Sequence, residues 1–400
     1  MIVILFCLLG ILLGIFTGLT PGIHVNTVCI FLLSLFAYSD PSMLAVAVTA
    51  MAITHTFFDF IPSILLGAPD PETSLSVLPG HRMLLKGRAT EAVYLTILGG
   101  LMSVVITLAL LPVFLFVIPL LYHGVYSYIH VLLALILASM LLGERGGRAK
   151  LCALYCFFLS GALGLLVFDL RLIPGQFLLF PVFTGLFGIS TLLISLGQRT
   201  TIPRQSADVR GMPARMLIKG SLKGILSGAL VGTLPAVGSS QAAVLSHQLS
   251  RRKGSDDREF LVSLGAVNTI VAMFSLISLY TISKARSGAA IAVQQLLPAF
   301  ELPQLLVLAS VTLAAAGISS LLLLKSTRHM VGFIQKINYR KATVLVIVSL
   351  VALTFWFTGP FGLLVLFTAT CIGMLPPLLG VKRTFGMGVL MLPVILFYAL

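Results

Sequence analysis

Apolar residues run through this chain in stretches about as long as a bilayer-crossing helix, separated by short polar turns. Their lengths predict full helices over 42–60, 92–118, 128–143, 151–170, 174–197, 260–281, 302–325, 342–357, 359–378 and 384–400, about ten spans in all. Four segments, 1–37, 61–85, 219–250 and 282–299, break the pattern, because proline, glycine or charge interrupts each of them. The interruptions recur along the chain. Gly14-x-x-x-Gly18-x-x-Pro21-Gly22 returns as Gly228-x-x-x-Gly232-x-x-Pro235-Ala236, with one offset of 214 for both the glycines (228 − 14) and the prolines (235 − 21). The same offset sets Asp70 and Glu72, in the broken element Pro62 to Thr73, opposite Lys284 and Arg286.

Charge then orients the elements. No Lys or Arg occurs between Met1 and His81, whereas 219–250 is preceded by Arg199, Arg204, Arg210, Arg215, Lys219 and Lys223 and followed by Arg251, Arg252 and Lys253. Basic loops stay in the cytoplasm, so both ends of 219–250 belong on one side and the segment enters and turns back at its proline. The matching 1–37 hairpin, with Asp40 after it and no basic residue nearby, is expected to open outward. Each copy reads as hairpin, span, hairpin and four spans, which makes an odd number of crossings and inverts the second copy. The expected fold is an all-α polytopic membrane protein of two inverted-topology repeats, 1–198 and 224–400, joined by a basic linker, 199–223.

Composition agrees. A mean hydropathy of +1.10 with 10% charged residues excludes a soluble surface, which carries about 25%. The net charge of +14 lies in short loops and reads as topology and lipid anchoring, with no nucleic-acid partner. Met1 to Leu19 lacks a basic start and a small-residue cleavage site, so it is expected to remain in the mature chain. The five cysteines lie in apolar segments and suggest neither a disulfide framework nor a metal site. G-x-x-x-x-G-K-[ST], H-E-x-x-H and G-x-S-x-G are all absent, so no enzyme and no cofactor is expected beyond a coupling Na+ or H+.

Hairpin tips present helix-terminal N–H groups, suited to a carboxylate or phosphate, and free carbonyls, suited to a cation. The expected substrate contacts are therefore Pro21, Gly22, His24, Asn26 and Thr27 in one copy and Pro235, Ala236, Ser239, Ser240 and Gln241 in the other, with Lys284 and Arg286 neutralising an anion. Asp59, Asp70, Glu72 and Asn268 are ion-coupling candidates, because ionisable or amide groups in an apolar run are costly without a role. Packing competes with these readings: Gly-x-x-x-Gly spacing is a common helix contact surface, and His24, His55 and Asn268 could serve as structural hydrogen bonders. Asp70, Glu72, Lys284 and Arg286 could form an ion-pair set between the repeats, and Arg258 reads as a solvated loop charge.

Gly14 to Thr27, Ser63-Ile-Leu-Leu-Gly-Ala-Pro-Asp-Pro-Glu-Thr-Ser, Pro79-Gly-His-Arg-Met-Leu-Leu-Lys-Gly87 and Gly224 to Leu249 together resemble the large membrane subunit of tripartite tricarboxylate transporters, the TctA family. The resemblance implies a cation-coupled importer of citrate-like carboxylates, working with a small membrane subunit and an external binding protein. The chain departs from the family at Tyr280-Thr-Ile-Ser-Lys-Ala-Arg-Ser-Gly288, where a P-G-S-G-like turn is usual. Transport of a small organic anion by alternating access in the cell membrane is thus the leading expectation. A polyprenyl-phosphate flippase and a non-transporting scaffold or receptor are the alternatives.

Overall fold

A computed structural model describes residues 1–20, 40–66, 77–125, 128–170, 177–197, 203–206, 211–233, 257–336 and 339–400, with the isolated positions 25, 28–29, 32–33, 173, 208–209, 239, 242–243 and 246. Among the described residues every regular element is helical. In chain order these are α1 (Ile2–Leu19), α2 (Pro41–Phe58), α3 (Phe60–Leu66), α4 (Val77–Leu85), α5 (Ala89–Ala109), α6 (Leu111–Val125), α7 (Ile129–Leu142) and α8 (Gly147–Leu170). There follow α9 (Leu179–Phe183), a π-helical stretch (Thr184–Ile189), α10 (Ser190–Gly197), α11 (Ala214–Thr233), α12 (Asp257–Ile282), α13 (Gly288–Leu296), α14 (Leu302–Lys336), α15 (Tyr339–Leu378), a 3-10 turn (Arg383–Met387) and α16 (Gly388–Ala399). Seven of the described helices are long and apolar enough to cross a bilayer, and four shorter apolar stretches accompany them.

One expected boundary shifts. The run over 92–118 breaks at Leu110, two residues before Pro112, so α5 and α6 are separate helices. The break expected between the runs 342–357 and 359–378 is found inside α15, where Gly359, just before Pro360, takes a φ of 63° that a side chain would oppose, and the helix continues as a second arm.

The glycine series explains how α1 packs on α2 and α11 on α12. A β-carbon at Gly10 would strike the Ala47 carbonyl, one at Gly14 would lie 2.6 Å from the Met51 oxygen, and one at Gly18 would lie 3.0 Å from the His55 oxygen. In the second half Gly220 and Gly224 press in the same way on the carbonyls of Glu259 and Ser263, while Gly228 and Gly232 lie in ordinary contact with those of Val267 and Val271. Four-residue steps on both helices mean that α1 lies parallel to α2, and α11 parallel to α12, at backbone contact. The carbonyl partners in the second half sit 216 residues after those in the first (263 − 47), close to the offset of 214 between the glycines themselves (224 − 10).

Parallel packing also orients the starts of these helices. Met1, Ile2 and Val3 line a common cavity with Asp40 and Met43, so the chain has returned beside its own start when α2 begins. The end of α3 packs on α4 and α5, and Arg82 of α4 lies 3.5 Å from Asp257 at the start of α12. Thus α12 begins at the end of the bundle where α3 finishes, opposite the end at which α1 and α2 begin.

Close helix packing divides the molecule into two sets, each drawn from both halves of the chain. The first holds α1–α6 and α11–α14; the second holds α7–α10, α15 and α16. Extensive backbone packing occurs within each set, while apolar side chains bridge between them. Reciprocal glycine contacts join the halves. Gly99 of α5 abuts the Val262 carbonyl while Gly265 of α12 abuts that of Thr96, and in the second set Gly164 meets Val389 and Gly388 meets Phe157.

Candidate functional site

Where α2 crosses α12, polar side chains converge in the middle of an otherwise apolar core. The α2–α3 stretch and α12 are each roughly 39 Å long at 1.5 Å per residue, and His55, Thr56 and Asn268 fall near their midpoints. His55, Asp59 and Asn268 are all at most 2% exposed. The Asn268 amide donates to the Asp59 carboxylate, Nδ2 to Oδ2 at 2.7 Å, and to the Thr56 carbonyl at 3.2 Å. A backbone carbonyl only accepts, so this pair of contacts fixes which way the amide faces. Thr56 and Thr269 share a hydroxyl contact at 3.2 Å, and Ser319 of α14 donates to Thr54 at 3.0 Å.

His55 ties this cluster to α1. Its Nδ1 lies 3.1 Å from the Thr17 hydroxyl, and Thr17 in turn donates to the Gly14 carbonyl at 3.2 Å. The other ring nitrogen, Nε2, faces Asp59 Oδ2 at 4.0 Å. Asp59 and Asn268, one from each half of the chain, thus meet.

A second polar group lies two turns further along α12, roughly 10 Å from Asn268. After Ile282 the backbone turns through Ser283, at a φ of 52°, and folds back along its own helix. Ser275 accepts from the Arg286 backbone N–H at 3.2 Å and donates to Ser287 at 2.9 Å, and Ser287 caps α13 by accepting from Ala290 N at 3.2 Å. Ser278, less than one turn away, donates to the Gly232 carbonyl at the end of α11, at 3.4 Å. Residues 275–278 therefore hold the end of α11 and the turn after α12 against one stretch of helix. The Arg286 guanidinium is half-buried and lies 5.4 Å from the Tyr122 ring centroid; its Nε and Nη2 are shielded from solvent and have no hydrogen-bond partner among the described residues. Lys284 is exposed beside it. Ser239 is buried, and its hydroxyl likewise has no partner among the described residues.

Of the candidates read from sequence, Asp59 and Asn268 are in direct contact, and Arg286 and the end of α11 share one stretch of α12. Pro21, Gly22, His24, Asn26, Thr27, Asp70, Glu72, Pro235, Ala236, Ser240 and Gln241 lie outside the described residues. Thr17, Thr56, Thr269, Ser275, Ser287 and Tyr122 were not legible as site residues. The offset carried a signal for two of them: Thr56 and Thr269, whose hydroxyls meet, stand 213 positions apart, close to the spacing of 214 between the glycine motifs.

Arg258 is not a solvated loop charge. It sits 14% exposed, with Nε 2.9 Å from Glu91 Oε1, while Arg88 grips the same carboxylate through two bonds at 2.7 and 2.8 Å. Glu91 and Arg258 open α5 and α12, so this triad pins one end of the bundle. Above it a cavity of about 410 Å³ is lined by Thr90, Tyr94, Lys325, Arg328 and His329, which brings the basic end of α14 to the same face.

Long apolar helices, backbone-close crossings and polar groups gathered in the core define a multi-pass integral membrane protein of the cell membrane. The Tripartite tricarboxylate transporter TctA family model matches residues 4–388, and the chain belongs to that family. It is 29% identical, across 100% of its own length and 99% of the relative's, to the uncharacterized protein MJ1079 of Methanocaldococcus jannaschii. No solved structure matches it. A tripartite transporter implies further subunits beside this one.

Proposed function

We propose that the chain is the membrane permease of an ion-coupled secondary transporter for a small organic anion, a di- or tricarboxylate, which it moves by alternating access together with a small membrane subunit and an external binding protein. The observation that carries this reading is Arg286: a shielded guanidinium with unused donors, stacked near Tyr122 and held at the start of a capped helix beside the second hairpin. A carboxylate satisfies such a fork bidentately, and the α13 N-terminus favours the same charge. The hairpin tips, Pro21–Thr27 and Pro235–Gln241, complete the anion site in this reading, with Lys284 raising the local potential. Asp59 and Asn268 form the ion-coupling centre two turns away. Hairpins opening at opposite ends provide one route to each side, and the two helix sets are the bodies whose relative movement exposes the site alternately.

Uptake in proteoliposomes tests the proposal. A panel of mono-, di- and tricarboxylates is offered under Na+ and pH gradients to wild type, Arg286→Ala and Lys284→Ala. Arg286→Ala is expected to raise the apparent KM for the transported acid at least tenfold, with a smaller rise for Lys284→Ala. An unchanged KM in both variants removes these residues from the site.

A further inference from the structure

The cavity beside the Glu91 triad belongs neither to the proposed anion site nor to the polar crossing, and its walls change character with depth. Helix α5 starts at this end of the bundle, and α14, which packs on it, finishes here. Nearest the end stand Thr90 on α5 and Arg328 and His329 on α14; further in come Tyr94 and Lys325; Ile97 and Leu324 form an apolar floor, Ile97 roughly 12 Å from the start of α5. Lys325, Arg328 and His329 are three and four residues apart, so they share one face of α14. Among the described residues no carboxylate lines the cavity. Glu91, next to Thr90, already faces two guanidiniums, Arg88 and Arg258, and Asp208, next to the lining residue Val209, is exposed to solvent. The volume of about 410 Å³ falls within the roughly 300–1,000 Å³ of small-molecule sites.

We propose that this cavity binds the phosphate head of an anionic phospholipid. An ammonium, a guanidinium fork and the hydroxyls of Thr90 and Tyr94 are the donors that a phosphate group takes. A soluble phosphate ester would meet the same donors, but two features select the lipid. The floor is apolar, which suits the glycerol and upper acyl carbons and gives nothing to a second polar group. Outside the cavity, the same side of α14 continues as an apolar stripe: Leu313, Leu321 and Leu324 are exposed, and with Gly317 between them they follow one another at three- and four-residue steps that lead on to Arg328. A β-carbon at Gly317 would meet nothing within 4 Å, so the stripe is open along its length. An acyl chain lying on that stripe has its head at Lys325 and Arg328, the placement expected of a basic pocket between helices at the membrane boundary. A lipid seated there touches both α5 and α14 and fastens them at the end where Glu91 already joins α5 to α12.

Native mass spectrometry of the purified full-length protein, titrated in detergent with dioleoylphosphatidylglycerol or with neutral dioleoylphosphatidylcholine, reads the site directly. The anionic lipid is expected to bind at least tenfold more tightly than the neutral one. Lys325→Gln/Arg328→Gln should weaken it at least tenfold, the order expected for two lost charges at a lipid headgroup. Leu324→Trp, which fills the floor and leaves the charge alone, should weaken it several-fold. Equal charge removal at the exposed Arg145 and Arg148, as Arg145→Gln/Arg148→Gln, should leave affinity within about twofold. Millimolar glycerol phosphate or inorganic phosphate should not displace the lipid. Equal affinity for the two lipids, or the same loss in both double variants, overturns the proposal. Displacement by either soluble anion overturns it too, and assigns the cavity to a soluble phosphate compound. Should the Lys325/Arg328 variant fail to fold, unchanged binding in Leu324→Trp is equally decisive. The readout needs no transport, so its outcome is separate from that of the permease reading.

Discussion

Replacing Glu91 with Gln would leave the shape of its side chain and remove the one negative charge that two guanidiniums share. The carboxylate is 1% exposed, Arg88 and Arg258 are 24% and 14% exposed, and three charge-assisted contacts of 2.7 to 2.9 Å converge on it. Breaking a buried ion pair by deleting one partner costs about 3–5 kcal/mol. Both arginines keep some access to water, so the lower end applies, ~3 kcal/mol. Reversible unfolding in mixed micelles, monitored on Glu91→Gln, Arg258→Gln and the double variant, gives the pairwise term directly. The expected coupling between positions 91 and 258 is about 0.5–3 kcal/mol, the range for residues in one salt-bridge network. Strict additivity of the two single variants, or a loss below ~1 kcal/mol in Glu91→Gln, would show that the triad does not hold the starts of α5 and α12 together.

Gly99→Ala places a methyl group on the Val262 carbonyl and should cost about 1–3 kcal/mol through strain at the α5–α12 crossing, whereas Gly317→Ala, with open space beside it, should be neutral; detergent thermal melts compare the two. On a background with the five native cysteines removed, single cysteines at the exposed Ser42 and Ser206 should react with impermeant reagents from opposite faces of the membrane, and labelling from the same face would contradict the opposed hairpins. Gln205 clamps the linker by accepting from Ala89 N at 3.0 Å and donating to the carbonyls of Leu84 at 2.9 Å and Pro203 at 2.7 Å. Gln205→Ala should therefore speed tryptic cleavage within 203–211 several-fold, and an unchanged cleavage rate would refute the clamp.

Much of this molecule is written in one dimension. Apolar run length fixes helices because lipid leaves backbone groups no other partner, and it located most helices to within a few residues. Glycine spacing foretold close helix packing, since the absence of a side chain at every fourth position is itself the contact surface. The family too is legible in the motifs around Pro21 and Pro69. What the sequence alone left undecided is which isolated polar residues meet. His55 and Asn268 look alike as single polar positions on apolar helices, and nothing local distinguishes a structural amide from one 2.7 Å from a buried carboxylate 209 positions away. Arg258 looks like a loop charge until folding carries it to Glu91. Partner choice depends on how α2, α5 and α12 cross, and the crossing is decided by side-chain volume summed over both halves of the chain. Local pattern sets each helix, and only the assembled bundle decides which charges share a dry interior.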